Sequence, residues 1–480
     1  MPAVVHDDVD ARLTAACRAG LDAQAAGDDA RAIRHFADAV RLAPALLEVH
    51  LLLANVHLAR HDRRAAREAL RDAAVVARPT DAAAHQRLGA ALLQAAAPEE
   101  ALACFDAACR LAPHAAAAHA ARAAALRAIG RILEACDAAR EALRLAPADP
   151  ATLATAGHVA LETGDLDAAD ALLARSLARR PGHGITRTHR AAVRGLRGDL
   201  AGALADLEGR EQPVARTGAA RWDGAPLRGA SVFCTADQGA GDRFQFVRYL
   251  PHLHARGAGR VAVEAEASIV PLLRANGIDA VARGTLVVTD VHVPLTSLPH
   301  VLGLTTTVAI CGDGAPYLHA GAPRPDVPAL PAHDGRPRVG LTWRGNPDFL
   351  NDRKRSLPDE AVRALVAAVP GVRWVSLQQG DGADAAPPGV ATVGALVDWQ
   401  VTAQLLVELD ALVTIDTGIA HLGGALGVPV HVLLPHVCDW RWGRAADRTP
   451  WYASVRLHRQ ERVGDWSAAI TAATRALREA

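Results

Sequence analysis

The feature that most constrains this chain of 480 residues is a period. Pro44, Pro79, Pro113, Pro147 and Pro181 are separated by 35, 34, 34 and 34 residues, and Gly130, Gly164 and Gly198 are again 34 apart. A unit of that length buries its apolar face only against its neighbours, which is the mark of a helical-hairpin solenoid. The unit is legible in GDDARAIRHFADAVRLAP (27–44), GRILEACDAAREALRLAP (130–147) and GDLDAADALLARSLARRP (164–181). The Gly marks the turn between two helices, small alanines allow close helix approach, and the Pro stops the second helix.

These segments resemble tetratricopeptide repeats, about six of them between Ala11 and Glu208. The predicted fold of residues 1–210 is therefore an all-α solenoid. The resemblance implies a concave groove, lined by the first helix of each hairpin, that binds a protein partner. Here that lining is alanine-rich, as in AHAARAAAL (118–126), and names no ligand. A spacer or dimerisation arm is the plainer use of the same array.

Composition narrows the function classes. With 50% hydrophobic and 22% charged residues the chain is soluble and globular, and its length asks for two or three domains. The formal net charge is zero and basic residues are spread out, which argues against a nucleic-acid or membrane-surface partner held by charge. No apolar run approaches the roughly 18 residues of a transmembrane segment. The start, MPAVVHDDVD, is acidic where a signal peptide is basic, so a cytoplasmic location is expected. Seven cysteines at 17, 104, 109, 136, 234, 311 and 438 include no Cys-x-x-Cys, so neither a disulfide framework nor a metal site is expected.

Beyond the repeats the pattern changes. EQPVARTGAARWDGAPLRGA (211–230) gathers Gly, Pro and Trp and reads as a linker. SVFCT (231–235), RVAVEA (260–265) and LVVTD (286–290) read as strands, alternating with helices at 243–255 and 267–277. GAPRPDVPALPAHDGRP (321–337) precedes a second alternating series. Its strands are RVGLTW (338–343), RWVSLQ (373–378), ALVTID (411–416) and VPVHVLLP (428–435), with helices at 358–369, 402–410 and 418–427. Such alternation predicts parallel sheets covered on both faces, here two Rossmann-like units at 231–335 and 336–480 with a ligand cleft at the carboxyl ends of their strands.

The strongest local constellation is ALVTIDTGIAHLGGALGVPVHVLLP (411–435). A buried strand ends in Asp416-Thr417-Gly418 and passes straight into a helix, whose free N–H groups and dipole suit a diphosphate. Asp416 and Thr417 equally suit a helix cap, and Gly418, Gly423 and Gly424 close packing.

Here the chain resembles GT-B glycosyltransferases, most closely the bacterial heptosyltransferases and more loosely the protein O-GlcNAc transferases, which also carry tetratricopeptide repeats. DTGIAHLGGALGVPV looks like their donor-site segment. ADQGAGDRFQFVRYLPHL (236–253) is similar to their first strand-helix turn, and WRGNPDFLNDRKRSLPDE (343–360) to the segment that brings a basic side chain to the donor phosphates. The resemblance implies two Rossmann-like units in a GT-B arrangement, the first on the acceptor side and the second on the nucleotide-sugar side. It implies an inverting, metal-independent transferase that needs no cofactor. The donor would be a nucleoside-diphosphate sugar and the acceptor a protein or glycan.

Carried over residue by residue, the resemblance makes Asp242 the general base, since an acceptor hydroxyl must lose its proton as the anomeric bond breaks. As a bare residue, Asp242 also suits a helix cap after Gly239 and Gly241. Thr417 and Gly418 would donate to the diphosphate, with His421 one turn further on or simply an interior histidine. Lys354 and Arg355, joined by Arg344, would neutralise the leaving group. Counting from Pro358 puts the family lysine on Arg355, while residue type puts it on Lys354, the only lysine of the chain. Trp440 and Trp442 of DWRWGR could stack on a base or sugar, or pack the C-terminal tail.

The heptosyltransferases normally lack the repeats, and a first unit of about 100 residues is short for an acceptor domain. Either the repeats help build the acceptor site or the acceptor is small. Two other function classes compete. One is a non-catalytic repeat scaffold with a degenerate GT-B-like binding module. The other is a nicotinamide-dependent enzyme prompted by QGAGDRFQF, which lacks a third glycine and has only Glu264 and Glu266 near the ribose-binding position.

Overall fold

The computed structural model describes residues 3–60, 62–76, 80–210, 218–347, 352–380 and 386–479. Pro79 of the repeat, 211–217 of the expected linker and 348–351 of the WRGNPDFLNDRKRSLPDE stretch lie outside the described residues. The chain divides into two compact units, 1–181 and 182–480.

The described residues of 1–181 form five helical hairpins. Helix α1 (Ala3–Ala25) pairs with α2 (Asp29–Leu42), and α3 (Leu47–Ala59) with α4 (Arg63–Val76). Helix α5 (Ala82–Gln94) pairs with α6 (Pro98–Leu111), α7 (Ala116–Ala128) with α8 (Ile132–Leu145), and α9 (Pro150–Glu162) with α10 (Leu166–Arg179). Asp28, Asp81, Asp149 and Asp165 cap α2, α5, α9 and α10 by accepting from free N–H groups. Gly27, Gly130 and Gly164 make the inter-helix turns at φ of 75°, 83° and 76°, a region costly for other residues. Pro44, Pro113, Pro147 and Pro181 each follow a second helix by two residues.

The hairpins close through notches that a search for turn residues does not reveal. A Cβ on Gly20 would lie 2.5 Å from the Phe36 ring, on Gly89 2.7 Å from Phe105, and on Gly157 2.8 Å from Leu173. In each case a first-helix glycine receives the large side chain sixteen residues later. Among the described residues an apolar core from Leu47 to Val159 then runs through successive hairpins, next to a separate cluster of Ala23, Ala32, Phe36 and Val56.

Residues 182–480 begin with a sixth hairpin, α11 (Gly184–Leu196) and α12 (Leu200–Leu207), which departs from the expected boundary at 210. It is held here by Arg210, buried against Asp237, Thr296 and Ser297. The α/β region that follows contains two sheets. The first has β1 (Ala220–Arg221), β2 (Ser231–Thr235), β3 (Arg260–Ala265), β4 (Asp279–Ala282) and β5 (Val291–Pro294) in the order β1-β5-β2-β3-β4, all parallel. The expected linker therefore contributes β1 and the buried Trp222.

The strand expected over 286–290 does not form. That run has no ladder partner because β5 meets β2 only from Val291, and Leu286 and Val288 stand exposed. The expected helix over 243–255 is two α-helices, α13 (Ala240–Phe246) and α14 (Leu250–Ala255), joined by a 3₁₀ turn. Helix α15 (Val270–Ala275) shortens the one expected over 267–277, and α16 (Leu298–Val301) and α17 (Thr307–Cys311) follow β5.

The second sheet carries β6 (Arg338–Leu341), β7 (Arg373–Ser376), β8 (Val390–Thr392), β9 (Ala411–Ile415), β10 (Val430–Leu434), β11 (Arg448–Thr449) and β12 (Tyr452–Arg459). Their order is β11-β12-β10-β9-β6-β7-β8, parallel except for β11. Helices α18 (Asp352–Arg355), α19 (Asp359–Ala368), α20 (Trp399–Leu406), α21 (Gly418–Leu426) and α22 (Ser467–Arg478) complete it. Strands β9 and β10 are buried throughout, as centre strands of a doubly wound sheet must be. All seven cysteines are free. Among the described residues no helix is long and apolar enough to cross a membrane.

Phe105→Ala should destabilise the 1–181 unit by about 3–5 kcal/mol in chemical denaturation. Gly89→Ala should cost about 1–3 kcal/mol by overpacking the same notch. A second expectation concerns His431 on β10 and His458 on β12, which stack with centroids 5.2 Å apart and share a 3.0 Å hydrogen bond. Burial lowers both to about 4. The unfolded chain takes up these protons near pH 6.5 and the folded chain only near 4, so stability present above pH 6.5 is lost as pH falls towards 4. Replacing both histidines with glutamine should flatten that acid limb in melting curves.

Candidate active site

Each sheet reverses its winding direction once, between β2 and β5 in the first and between β6 and β9 in the second. Ligand crevices of open parallel sheets form at the carboxyl ends of such strands. In the first sheet that position is filled by Arg210, whose guanidinium bonds Asp237 beyond β2 and Thr296 and Ser297 beyond β5. In the second it holds the turn Asp416-Thr417-Gly418, which leads from β9 into α21.

The heads of α13 and α21 face each other. Gly418 lies so near the first turn of α13 that a Cβ there would sit 3.4 Å from that of Ala240 and 3.1 Å from the Trp399 ring. A Cβ on Gly241 would lie 2.6 Å from the His421 ring. The glycine at 241 is thus required by helix approach. Gly423 and Gly424 serve packing, against Val430 and the Tyr452 ring.

Asp242, three residues into the head of α13, accepts from the Gly239 N–H at 3.0 Å through one oxygen. Through the other it pairs with Arg441. Asp242 is therefore not the N-cap, a position Gly239 takes, but bonds back to it from the third helical position, and its second oxygen is engaged across the site. Burial raises the Asp242 carboxyl above its ordinary value, while Arg441 pulls it back. Arg441 also donates to Asp439 at 2.9 Å and to Gln245 at 2.8 Å, and lies over the Trp440 ring at 4.6 Å. It is the central cation of the site and was not singled out in the sequence. Its only local signal is its place between two tryptophans in DWRWGR.

Thr417 takes the N-cap position of α21 without capping it, since its hydroxyl turns back to Ile415 O at 3.4 Å. Asp416 is pushed up to about 6 by burial and by the neighbouring Asp439. Arg355 donates to the Asp416 carbonyl at 2.7 Å and to Asp352 at 3.0 Å. Arg355 is thereby brought to this turn. Gly345 permits the arrangement, because a Cβ there would fall 2.0 Å from Asp352 Oδ1. Lys354 stands beside Arg355 in α18, half-buried. Arg344 instead pairs at 2.6 Å with Asp359 at the start of α19.

His421 has the interior character weighed for it. It is buried, bonds the Tyr452 hydroxyl at 3.0 Å and stacks on Trp442 with centroids 4.9 Å apart. Burial lowers it to about 3, so it is neutral at pH 7. The stacking role expected for Trp440 and Trp442 is not met in this conformation. They are 6% and 1% exposed, Trp442 against His421 and Trp440 against Gly195 of α11, so neither offers a free face to a base or sugar. Asp398 caps α20 by accepting from the N–H groups of Gln400 and Val401.

No protein-family model matches the chain. A curated Caulobacter vibrioides protein named FlbA is 26% identical over 447 residues, covering 84% of this chain and 74% of FlbA. Among solved structures, a thermophilic TPR protein TTC0263 of Thermus thermophilus is 23% identical, covering 38% of this chain and 98% of that one with a TM-score of 0.31. PilF of Pseudomonas aeruginosa is 16% identical, covering 42% and 90% with a TM-score of 0.33. The tetratricopeptide-like character of the N-terminal region rests on its own hairpins, turn glycines and notches.

Removing Arg441 leaves Asp242 and Asp439 without their shared cation. Arg441→Ala should cost the 182–480 unit about 3–5 kcal/mol near neutral pH. The loss should shrink as the pH is lowered and the Asp242 carboxyl, already raised by burial, protonates, a trend that melting curves at pH 5 and pH 8 would reveal.

Proposed function

We propose that residues 182–480 form a GT-B glycosyltransferase that moves a sugar from a nucleoside-diphosphate sugar to a hydroxyl of a protein or glycan. The repeats select that acceptor or a partner. The observation that carries this reading is the confrontation of the two helix heads, with a half-buried carboxylate of raised pKa on one and an uncapped strand-to-helix turn held by Arg355 on the other.

The chemistry that fits is a single inverting displacement. The bond from the anomeric carbon to the diphosphate oxygen breaks, and its electron pair leaves with the nucleoside diphosphate. The acceptor oxygen bonds the opposite face of the same carbon and passes its proton to Asp242, whose raised pKa makes it the stronger base. The N–H groups of Thr417 and Gly418, the α21 dipole and the charges of Arg355 and Lys354 meet the leaving diphosphate without calling on a metal.

A second reading is favoured by one observation. Arg441 occupies Asp242, and the two helix heads pack directly through Gly241 and His421, as suits a closed scaffold module. A thermal-shift panel of UDP, GDP, ADP and CMP sugars separates the two. The transferase predicts that at least one donor raises the melting temperature of the 182–480 unit. It also predicts that Asp242→Asn abolishes transfer while keeping that shift, and that Arg355→Ala loses more of it than Lys354→Arg. No shift with any donor would favour the scaffold.

A further inference from the structure

We propose that the last repeat hairpin is a working part of the site, and that Gly195 and Trp440 are positioning residues which set Arg441 on Asp242. The inference rests on the transferase reading for the role of Asp242, but the chain of contacts stands without it. Helix α11 presents Gly195 to the turn Trp440–Trp442, where a Cβ would lie 2.7 Å from the Trp440 ring and 2.8 Å from its own Cβ. Trp440 fills that notch and is 6% exposed. Its ring carries the Arg441 guanidinium at 4.6 Å, and Asp439 fixes the same turn by accepting from the Arg441 N–H at 3.0 Å. Arg441 then reaches across to Asp242 and Gln245 on α13.

A side chain held at both ends in this way has little freedom to find Asp242 otherwise. Moving the Trp440 ring by the fraction of an ångström that a methyl at 195 demands displaces the guanidinium that rests on it. The arrangement gives the repeats a direct role in the site that the short first α/β unit leaves open. It also explains why the sixth hairpin belongs to the 182–480 unit.

The test compares Gly195→Ala with Gly89→Ala in the full chain. Both create the same kind of overpacked notch, and only the first touches the site. The donor-free arm measures the melting-temperature cost of Asp242→Asn in the wild-type, Gly195→Ala and Gly89→Ala backgrounds. If α11 sets the Arg441–Asp242 pair, that cost shrinks to about half or less with alanine at 195 and keeps its full size with alanine at 89. An equal cost in all three backgrounds overturns the inference.

In the donor arm, whichever UDP, GDP, ADP or CMP sugar gives the largest thermal shift serves as substrate. Gly195→Ala should then lower kcat about tenfold or more with the donor KM nearly unchanged. A raised KM at unchanged kcat overturns it. If no sugar is turned over by the wild type, the transferase reading falls and the donor-free arm alone judges the positioning. Should Gly195→Ala unfold, Trp440→Phe, which keeps a ring under Arg441 but shortens it, takes its place in both arms with the same expectation.

Discussion

A guanidinium taken out of water costs several kcal/mol unless charge and hydrogen bonds meet it from the right directions. Arg441 satisfies that demand only by drawing on both α/β halves, with Asp439 beside it and Asp242 and Gln245 on the opposite side. Much of the local structure follows from it. Helix α13 must lie close on α21, which requires Gly241 against His421. A histidine buried beside this cation must be neutral, and His421 is. A further cation, the half-buried Arg248, joins the halves elsewhere, bonding the Cys311 and Trp451 carbonyls and lying over the rings of Tyr317 and Tyr452.

What could be read from the sequence was whatever repeats or ends locally. The hairpins were legible because turn glycines and stop prolines recur at a fixed interval, and β9, α21 and β10 because a buried strand, a glycine-rich helix and another buried strand follow without a break. What escaped depends on distant partners. The Arg441–Asp242 pair spans 199 positions, and no local pattern announces it. The run 286–290 has strand-forming residues but no ladder to join, while Val291–Pro294 finds β2. Strand β12, the longest of the second sheet, is hard to read because its alternation YASVRLHR is broken by polar residues, one of which, His458, is buried.

The same distinction explains the candidate site. Asp242, Asp416, Thr417, Gly418 and Arg355 converge because each sits at a strand-to-helix turn or one helix away from it, positions that sequence periodicity locates well. Trp440 and Trp442 stand out in a chain of 4% aromatic content. Their surroundings, though, are a repeat helix and a buried histidine, neither of which is near in sequence. Of Lys354 and Arg355, alternatives in the sequence, Arg355 bonds the Asp416 carbonyl.

Arg210 carries a consequence for dissecting the molecule. It sits three residues past the last repeat helix and closes the reversal point of the first sheet, where Asp237 is its buried counter-charge. A truncation begun at residue 211, where the repeats end in the sequence, would strip that carboxylate of its cation and expose the Trp440 face that α11 covers. The smallest fragment able to keep the α/β region intact therefore starts ahead of Gly184, with one repeat retained as its N-terminal cap.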